Sequence, residues 1–160
     1  MQPLNESFNS VLSGKWTEKN NGGSHLYDKE FTQDADKQTW VNNPKYILKM
    51  QEKEQVEVKI TLSRPEGPWK KPVGKCLVGC MIGFYVHPYG QIPTKDNALN
   101  REGTKFVPWN EISESVVLDS GASREGFVIM PCTYECGKDI QGPFMIAVST
   151  TVDFTLTQLD

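Results

Sequence analysis

Apolar and polar side chains alternate with a period of two along much of this chain. The stretch 56–63 places valine, isoleucine and leucine at every second position, which predicts a strand with one buried and one solvent-exposed face. Residues 152–157 alternate in the same way. The apolar run 76–85 predicts a strand that is buried on both faces or carries a bulge at Gly79 or Gly83, and residues 127–130 and 144–148 are further apolar runs of strand length. Shorter strands are predicted at residues 14–17, 39–42, 46–50 and 115–118.

Turn-forming residues separate these runs. Glycine, proline and asparagine cluster at residues 20–23, 64–68, 87–90, 120–121 and 141–143. No stretch carries a sustained helical stripe, and at most one turn of helix is predicted, at residues 110–114. About eight strands divided by such turns predict an all-β fold, a single antiparallel eight-stranded β-sandwich over residues 1–160. Binding is expected on a sheet face or in the long polar loops 23–37 and 92–105.

Composition narrows the class of protein. Twenty acidic residues against 17 basic ones give a net charge of −3, so the chain lacks the basic footprint of a nucleic-acid-binding domain. No apolar run approaches the ~20 residues that cross a bilayer, and the amino terminus does not resemble a secretory signal. The four cysteines are therefore expected to be reduced thiols in an intracellular protein.

Two blocks of motif residues resemble the calpain-type β-sandwich, a C-two-like family. The first block joins a Gly-x-Trp strand, a Gly-Gly turn and a Trp-x-x-Asn-Pro-x-Tyr strand, and it comprises Gly14, Trp16, Gly22, Gly23, Trp40, Asn43, Pro44 and Tyr46. The second block has a Pro-Cys-Thr turn before a Gly-x-Phe strand, and it comprises Pro131, Gly142 and Phe144. Together the blocks extend over nearly the whole chain. These residues are expected to be structural.

The resemblance implies a non-catalytic regulatory domain of an intracellular calpain-like cysteine protease. Such a domain would support proteolysis by packing against the other domains of its protease and by contacting partners or substrates. The sequence is most similar to the distal, C-terminal sandwich of an atypical branch of the family that carries two. That branch implies endosomal sorting proteins as partners of the parent and a cytoplasmic, nuclear or endosome-associated location. Residues 51–54 hold only two acids, so the acidic switch of conventional calpains is not expected here.

Calcium is the one cofactor worth considering. A calcium site needs six to eight oxygen ligands, and the acids of this chain are scattered. Solvated loop acids are the simpler interpretation. The alternative is a weak calcium site formed by Asp28, Asp34 and Asp36. No other cofactor or metal is expected.

The cysteines and histidines are the candidates for catalysis or zinc. Cys76 and Cys80, in a predicted strand, would lie about 13 Å apart at 3.3 Å per residue, too far to share one zinc ion. Cys132 and Cys136 flank a predicted turn and are the more plausible reactive thiols. A cysteine hydrolase would also need a histidine base, and the chain offers only two, His25 and His87. No catalytic site is predicted.

A basic segment beside a tryptophan is the best candidate for an external contact. Trp69, Lys70, Lys71 and Lys75 could meet a partner or an anionic membrane surface. A solvated loop with Trp69 packed on the sandwich edge is the simpler interpretation. The leading hypothesis is therefore a regulatory and interaction domain, and the alternative is a peripheral phospholipid-binding module that acts with or without calcium.

Overall fold

The computed structural model describes residues 8–17, 19–20, 22–24, 40–51, 55–64, 81–91, 98–107, 110–121, 125–134 and 142–159. These residues form eight β-strands and one short 3-10 turn. The strands are β1 (Phe8–Trp16), β2 (Lys45–Met50), β3 (Gln55–Ser63), β4 (Ile82–Pro88), β5 (Glu111–Asp119), β6 (Phe127–Thr133), β7 (Gly142–Thr150) and β8 (Phe154–Leu159), and the 3-10 turn is Gly103–Lys105.

The strands divide into two four-stranded sheets in which every pairing is antiparallel. The first sheet has the order β1-β7-β3-β5, and the second sheet has the order β4-β6-β2-β8. One apolar core, drawn from alternate residues of both sheets, lies between them. The predicted antiparallel eight-stranded sandwich is confirmed.

The alternation in the sequence decides which side chains enter this core. In β3 the four even-numbered apolar residues from Val56 to Leu62 are buried, and most of the residues between them are exposed. Aromatic rings fill the centre: Trp16 lies 4.5 Å from Phe144 between ring centroids, and Tyr46 meets Phe144 edge-on at 6.1 Å. Burying such rings supplies much of the apolar area that drives folding.

Trp16 also ties the two sheets together through a hydrogen bond. Its indole Nε1 donates to the carbonyl oxygen of Pro131 at 3.1 Å. Pro131 lies in β6 beyond Ile129, the last residue of that strand paired with β2. The carbonyl therefore lies past the end of the β2–β6 ladder. It accepts the hydrogen bond that the buried indole N–H requires.

Two predicted elements differ from the structure. Residues 110–114 do not form a turn of helix, because Glu111 to Asp119 pair along their whole length with β3 as strand β5. Trp40 and Val41 form a turn where a strand was predicted. The carbonyl oxygens of both residues accept hydrogen bonds from nearby side chains, so this backbone does not need a ladder.

Candidate functional site

Four motif residues of the first block, Gly22, Gly23, Trp40 and Asn43, come together just before β2. Asn43 Nδ2 donates to the carbonyl oxygen of Gly23 at 2.9 Å and to that of Trp40 at 2.6 Å. The backbone N–H of Gly22 donates to the carbonyl oxygen of Asn42 at 2.9 Å. The buried Asn43 amide thus joins two turns that lie far apart in sequence. Pro44 directly precedes β2, where its missing N–H costs no ladder bond.

Ser24 extends this network to the end of β6. Its backbone N–H and its hydroxyl both donate to the carbonyl oxygen of Tyr134, at 2.9 and 2.8 Å. The N–H of Tyr134 in turn donates to the carbonyl oxygen of Met81. These hydrogen bonds join Ser24, Tyr134 and Met81 at the end of β6.

The outer face of the second sheet carries a second apolar cluster, which the sequence does not reveal. It is formed by Trp40, Tyr85, Phe106, Met130 and Cys132. The rings of Trp40 and Tyr85 are 4.9 Å apart between centroids, and those of Tyr85 and Phe106 are 5.9 Å apart. We call this set the outer cluster.

The 3-10 turn reaches the outer cluster because β4 has a glycine beneath it. A methyl group at Gly83 would overlap the carbonyl oxygen of Gly103 and lie 3.0 Å from the Phe106 ring. The absence of a side chain lets the two backbones approach closely. Glu114 of β5 then fixes the turn, since its carboxylate accepts hydrogen bonds from the N–H groups of Arg101 and Gly103 at 2.8 and 2.7 Å.

His87 and Cys132 lie on this face but do not meet. In the β4–β6 pair His87 is opposite Val128, and Cys132 is opposite Gly83. Four residues along the pair separate them, which is about 13 Å at 3.3 Å per residue. The fully buried His87 ring instead stacks on Tyr85 at 6.0 Å and lies 6.1 Å from Trp40. The register therefore builds no thiol–imidazole pair from these two residues.

The prediction that Cys132 is a reactive thiol is wrong. Cys132 lies inside β6, is fully buried and packs in the outer cluster. Burial raises the pKa of its thiol well above the ordinary value. The thiolate, which is the reactive species, is therefore disfavoured at neutral pH.

Lys45 lies on the same face, and its side chain is hydrogen-bonded to the turn before β2. Its ammonium Nζ donates to the carbonyl oxygen of Val41 at 2.6 Å and to that of Asn43 at 3.2 Å. Burial lowers the pKa of this ammonium, and its electrostatic interaction with Cys132 acts in the opposite direction. A partly buried cation held by neutral carbonyls is a candidate for binding an anion.

Lys45 also borders a cleft of about 250 Å³. We call it the Lys45 cleft, and it is lined by Lys45, His87, Tyr89, Gly90, Gln91, Val128 and Leu159. Another cleft, of about 310 Å³, lies at the first sheet beside the buried Arg64 and the exposed Met145. The sequence offered one hint of the first cleft: a lysine at an outward position of a strand, directly after the Asn-Pro motif.

The remaining candidate residues lie outside the described part of the chain. They are the proposed contact residues Trp69, Lys70, Lys71 and Lys75, the acids Asp28, Asp34 and Asp36, and also His25, Cys76, Cys80 and Cys136. The hypotheses built on them stay predictions. Within the described residues, no group of three or more His, Cys, Asp or Glu side chains could hold a metal ion. Nor does that part of the chain include a helix long and apolar enough to span a bilayer.

Comparison with known proteins identifies the family. No curated protein matches the chain. A chain in the structure titled "Israeli acute paralysis virus heated to 63 degree - full particle" is similar at 10% identity and a TM-score of 0.37, over 98% of this chain and 74% of that one. A similarity this weak says nothing about function. The family model described as calpain large subunit, domain III, matches residues 12–148, which is most of the sequence. The chain therefore belongs to the calpain domain III family and is a calpain-type regulatory domain.

Proposed function

We propose that this chain is a non-catalytic regulatory and interaction domain of an intracellular calpain-like cysteine protease. It would support proteolysis by packing against the other domains of that protease and by contacting partners or substrates. The observation that carries the proposal is how the sandwich uses its polar motif groups. The motif residues Trp16 and Asn43, together with Ser24 beside the Gly-Gly turn, donate hydrogen bonds to backbone carbonyls of other segments.

The place of the domain within the family is part of the same proposal. The resemblance of the motif blocks favours the distal, C-terminal sandwich of the branch that carries two. The parent protein would then act in the cytoplasm, in the nucleus or at endosomes, with endosomal sorting proteins among its partners. These assignments rest on the motif residues and on the family match over residues 12–148.

The test is proteolysis by the parent protease with and without an intact domain. We expect deletion of residues 1–160 to lower both autolysis and cleavage of a protein substrate. The variant Asn43→Ala, which removes the buried amide between Gly23 and Trp40, should lower both activities in the same direction. The matched variant Asn42→Ala changes an exposed amide and should retain activity. Unaltered proteolysis after deletion would contradict the proposal.

A further inference from the structure

We propose that the Lys45 cleft binds a carboxylate, and that its occupant is an acidic side chain presented by an extended peptide. This site is not the motif network, and it does not coincide with any residue that the sequence analysis singled out for binding. The inference concerns this chain alone and holds whether or not the parent is a protease.

The charge around the cleft favours an anion. None of the four strands of the second sheet contains an aspartate or glutamate, whereas β2 places Lys45 and Lys49 on the outer face. Among the described residues no carboxylate lies within ion-pair distance of Lys45. Its ammonium is hydrogen-bonded to two carbonyl oxygens and interacts electrostatically with Cys132. A partly buried ammonium without a counter-charge carries a desolvation cost, and a bound carboxylate would offset that cost.

The geometry of the cleft suits one carboxylate side chain. An ammonium has three donors, and two point to Val41 and Asn43, so one remains for a ligand. Val128 and Leu159 supply apolar walls that can hold the methylene groups of a glutamate. The volume of about 250 Å³ falls just below the range of about 300–1,000 Å³ that small-molecule sites occupy. A phosphate dianion would be only half neutralised by this single cation.

The position of β8 favours an extended peptide as the source of that side chain. Among the described strands β8 pairs with β2 alone, at the rim of the second sheet. Leu159 of β8 lies directly opposite Lys45. A strand added beside β8 would place every second side chain on the outer face, about 10 Å from the β2 backbone across Leu159. A glutamate there and the long Lys45 side chain can span that distance.

The experiment measures peptide binding from the amide NMR spectra of the 160-residue chain. The probes are acetyl-Thr-Val-Glu-Val-Thr-amide, the same peptide with glutamine in place of glutamate, and inorganic phosphate. We expect the glutamate peptide to shift the amide signals of β2 and β8 near Lys45 and Leu159. The glutamine peptide should bind about tenfold more weakly, because a charge-assisted hydrogen bond is lost.

Two lysine variants test whether the binding depends on this cation. Lys45→Met should weaken binding of the glutamate peptide about tenfold or more, for the same reason. The matched variant Lys49→Met removes a lysine from the same strand and the same face, outside the cleft, and should leave the affinity within about twofold, because exposed charges contribute little.

A third variant keeps Lys45 in place, in case its loss unfolds the turn at Val41. Leu159→Glu puts a carboxylate at the cross-strand position facing Lys45, where paired side chains contact each other. We expect this variant to melt no lower than the original chain and to bind the peptide at least about tenfold more weakly than Leu159→Gln, which changes the same wall without adding a charge. Equal binding of the two peptides, tighter Lys45-dependent binding of phosphate, or unchanged peptide binding by Leu159→Glu would each overturn the proposal.

Discussion

Gly14 and Tyr46 meet across the sandwich at a point where β1 has no room for a side chain. A methyl group at Gly14 would overlap the Tyr46 hydroxyl and lie 2.6 Å from Cζ of Phe144. The Gly-x-Trp motif therefore reflects close packing: the glycine accepts one aromatic side chain from each sheet, and two residues later Trp16 bridges the sheets.

We expect Gly14→Ala to lower the free energy of unfolding by about 1–3 kcal/mol, because overpacking a filled core forces its neighbours to move. Gly121→Ala is the matched control. Its methyl group would meet only the exposed Asp119 carboxylate, at 3.2 Å, so the change should stay within about 0.5 kcal/mol. Urea denaturation measures both values.

A second substitution tests whether overlap with the Tyr46 hydroxyl causes the loss of stability in Gly14→Ala. The Tyr46 hydroxyl is buried and has no hydrogen-bond partner among the described residues, so Tyr46→Phe should be nearly neutral by itself. In the Gly14→Ala background it removes the atom that the new methyl group overlaps, and we expect partial recovery of stability. Equal stability of Gly14→Ala and Gly121→Ala would show that β1 does have room at this position.

At the scale of elements, hydrogen bonds from side chains decide where strands begin. β2 starts at Lys45 because the residues before it are held in a turn by Asn43 and by the Lys45 ammonium. The same kind of hydrogen bond explains why Trp40 and Val41 form a turn, although a strand was predicted at residues 39–42. In contrast, residues 111–114 alternate Glu-Ile-Ser-Glu and join β5 because β3 offers a full-length partner.

Asn43 is the residue on which the junction before β2 depends most. Asn43→Ala would leave the buried carbonyls of Gly23 and Trp40 without this donor, and we expect a loss of about 2–3 kcal/mol in the free energy of unfolding. Asn42→Ala removes one exposed bond to the carbonyl of Lys19 and should cost under about 1 kcal/mol. Chemical denaturation of the two variants checks the difference. Similar losses for both would mean that the buried amide has no special role.

At the scale of the whole molecule, two buried groups make stability depend on pH in opposite directions. Burial raises the pKa of Cys132 above its ordinary value of 9.0. As the pH rises past 9.0 the unfolded chain loses this proton first, so unfolding is favoured and stability falls. Burial lowers the pKa of Lys45 from 10.5, so the folded chain releases that proton first as the pH rises toward 10.5, and stability rises.

Variants at the two positions separate these effects. The stability of the original chain relative to Cys132→Ala should fall between about pH 8 and about pH 10, whereas its stability relative to Lys45→Met should rise over the same interval. Urea denaturation at several pH values gives both differences. Lost packing lowers the stability of a variant by the same amount at every pH. A stability difference that does not change with pH would therefore contradict the burial assigned to the replaced group.

The amino-acid sequence by itself determined the class of fold and the positions of most strands. Alternation is a local property: the side chains of Val56, Val58 and Ile60 point to one face whatever pairs with β3, and glycine and proline end the runs through their own backbone preferences. The structural role of the motif residues was likewise predicted from their own chemistry, which suits turns and buried anchors.

The tertiary structure alone decided strand order and the character of the second sheet's outer face. The order β4-β6-β2-β8 joins segments far apart in the chain, and no local pattern encodes such pairings. Alternation says that residues two apart in a strand, such as Tyr85 and His87, share a face, but not that Cys132 of another strand joins them or that Trp40 and Phe106 pack on that face. The Lys45 cleft is likewise lined by residues of segments far apart in the chain, and such a meeting depends on how these segments pack rather than on any local pattern.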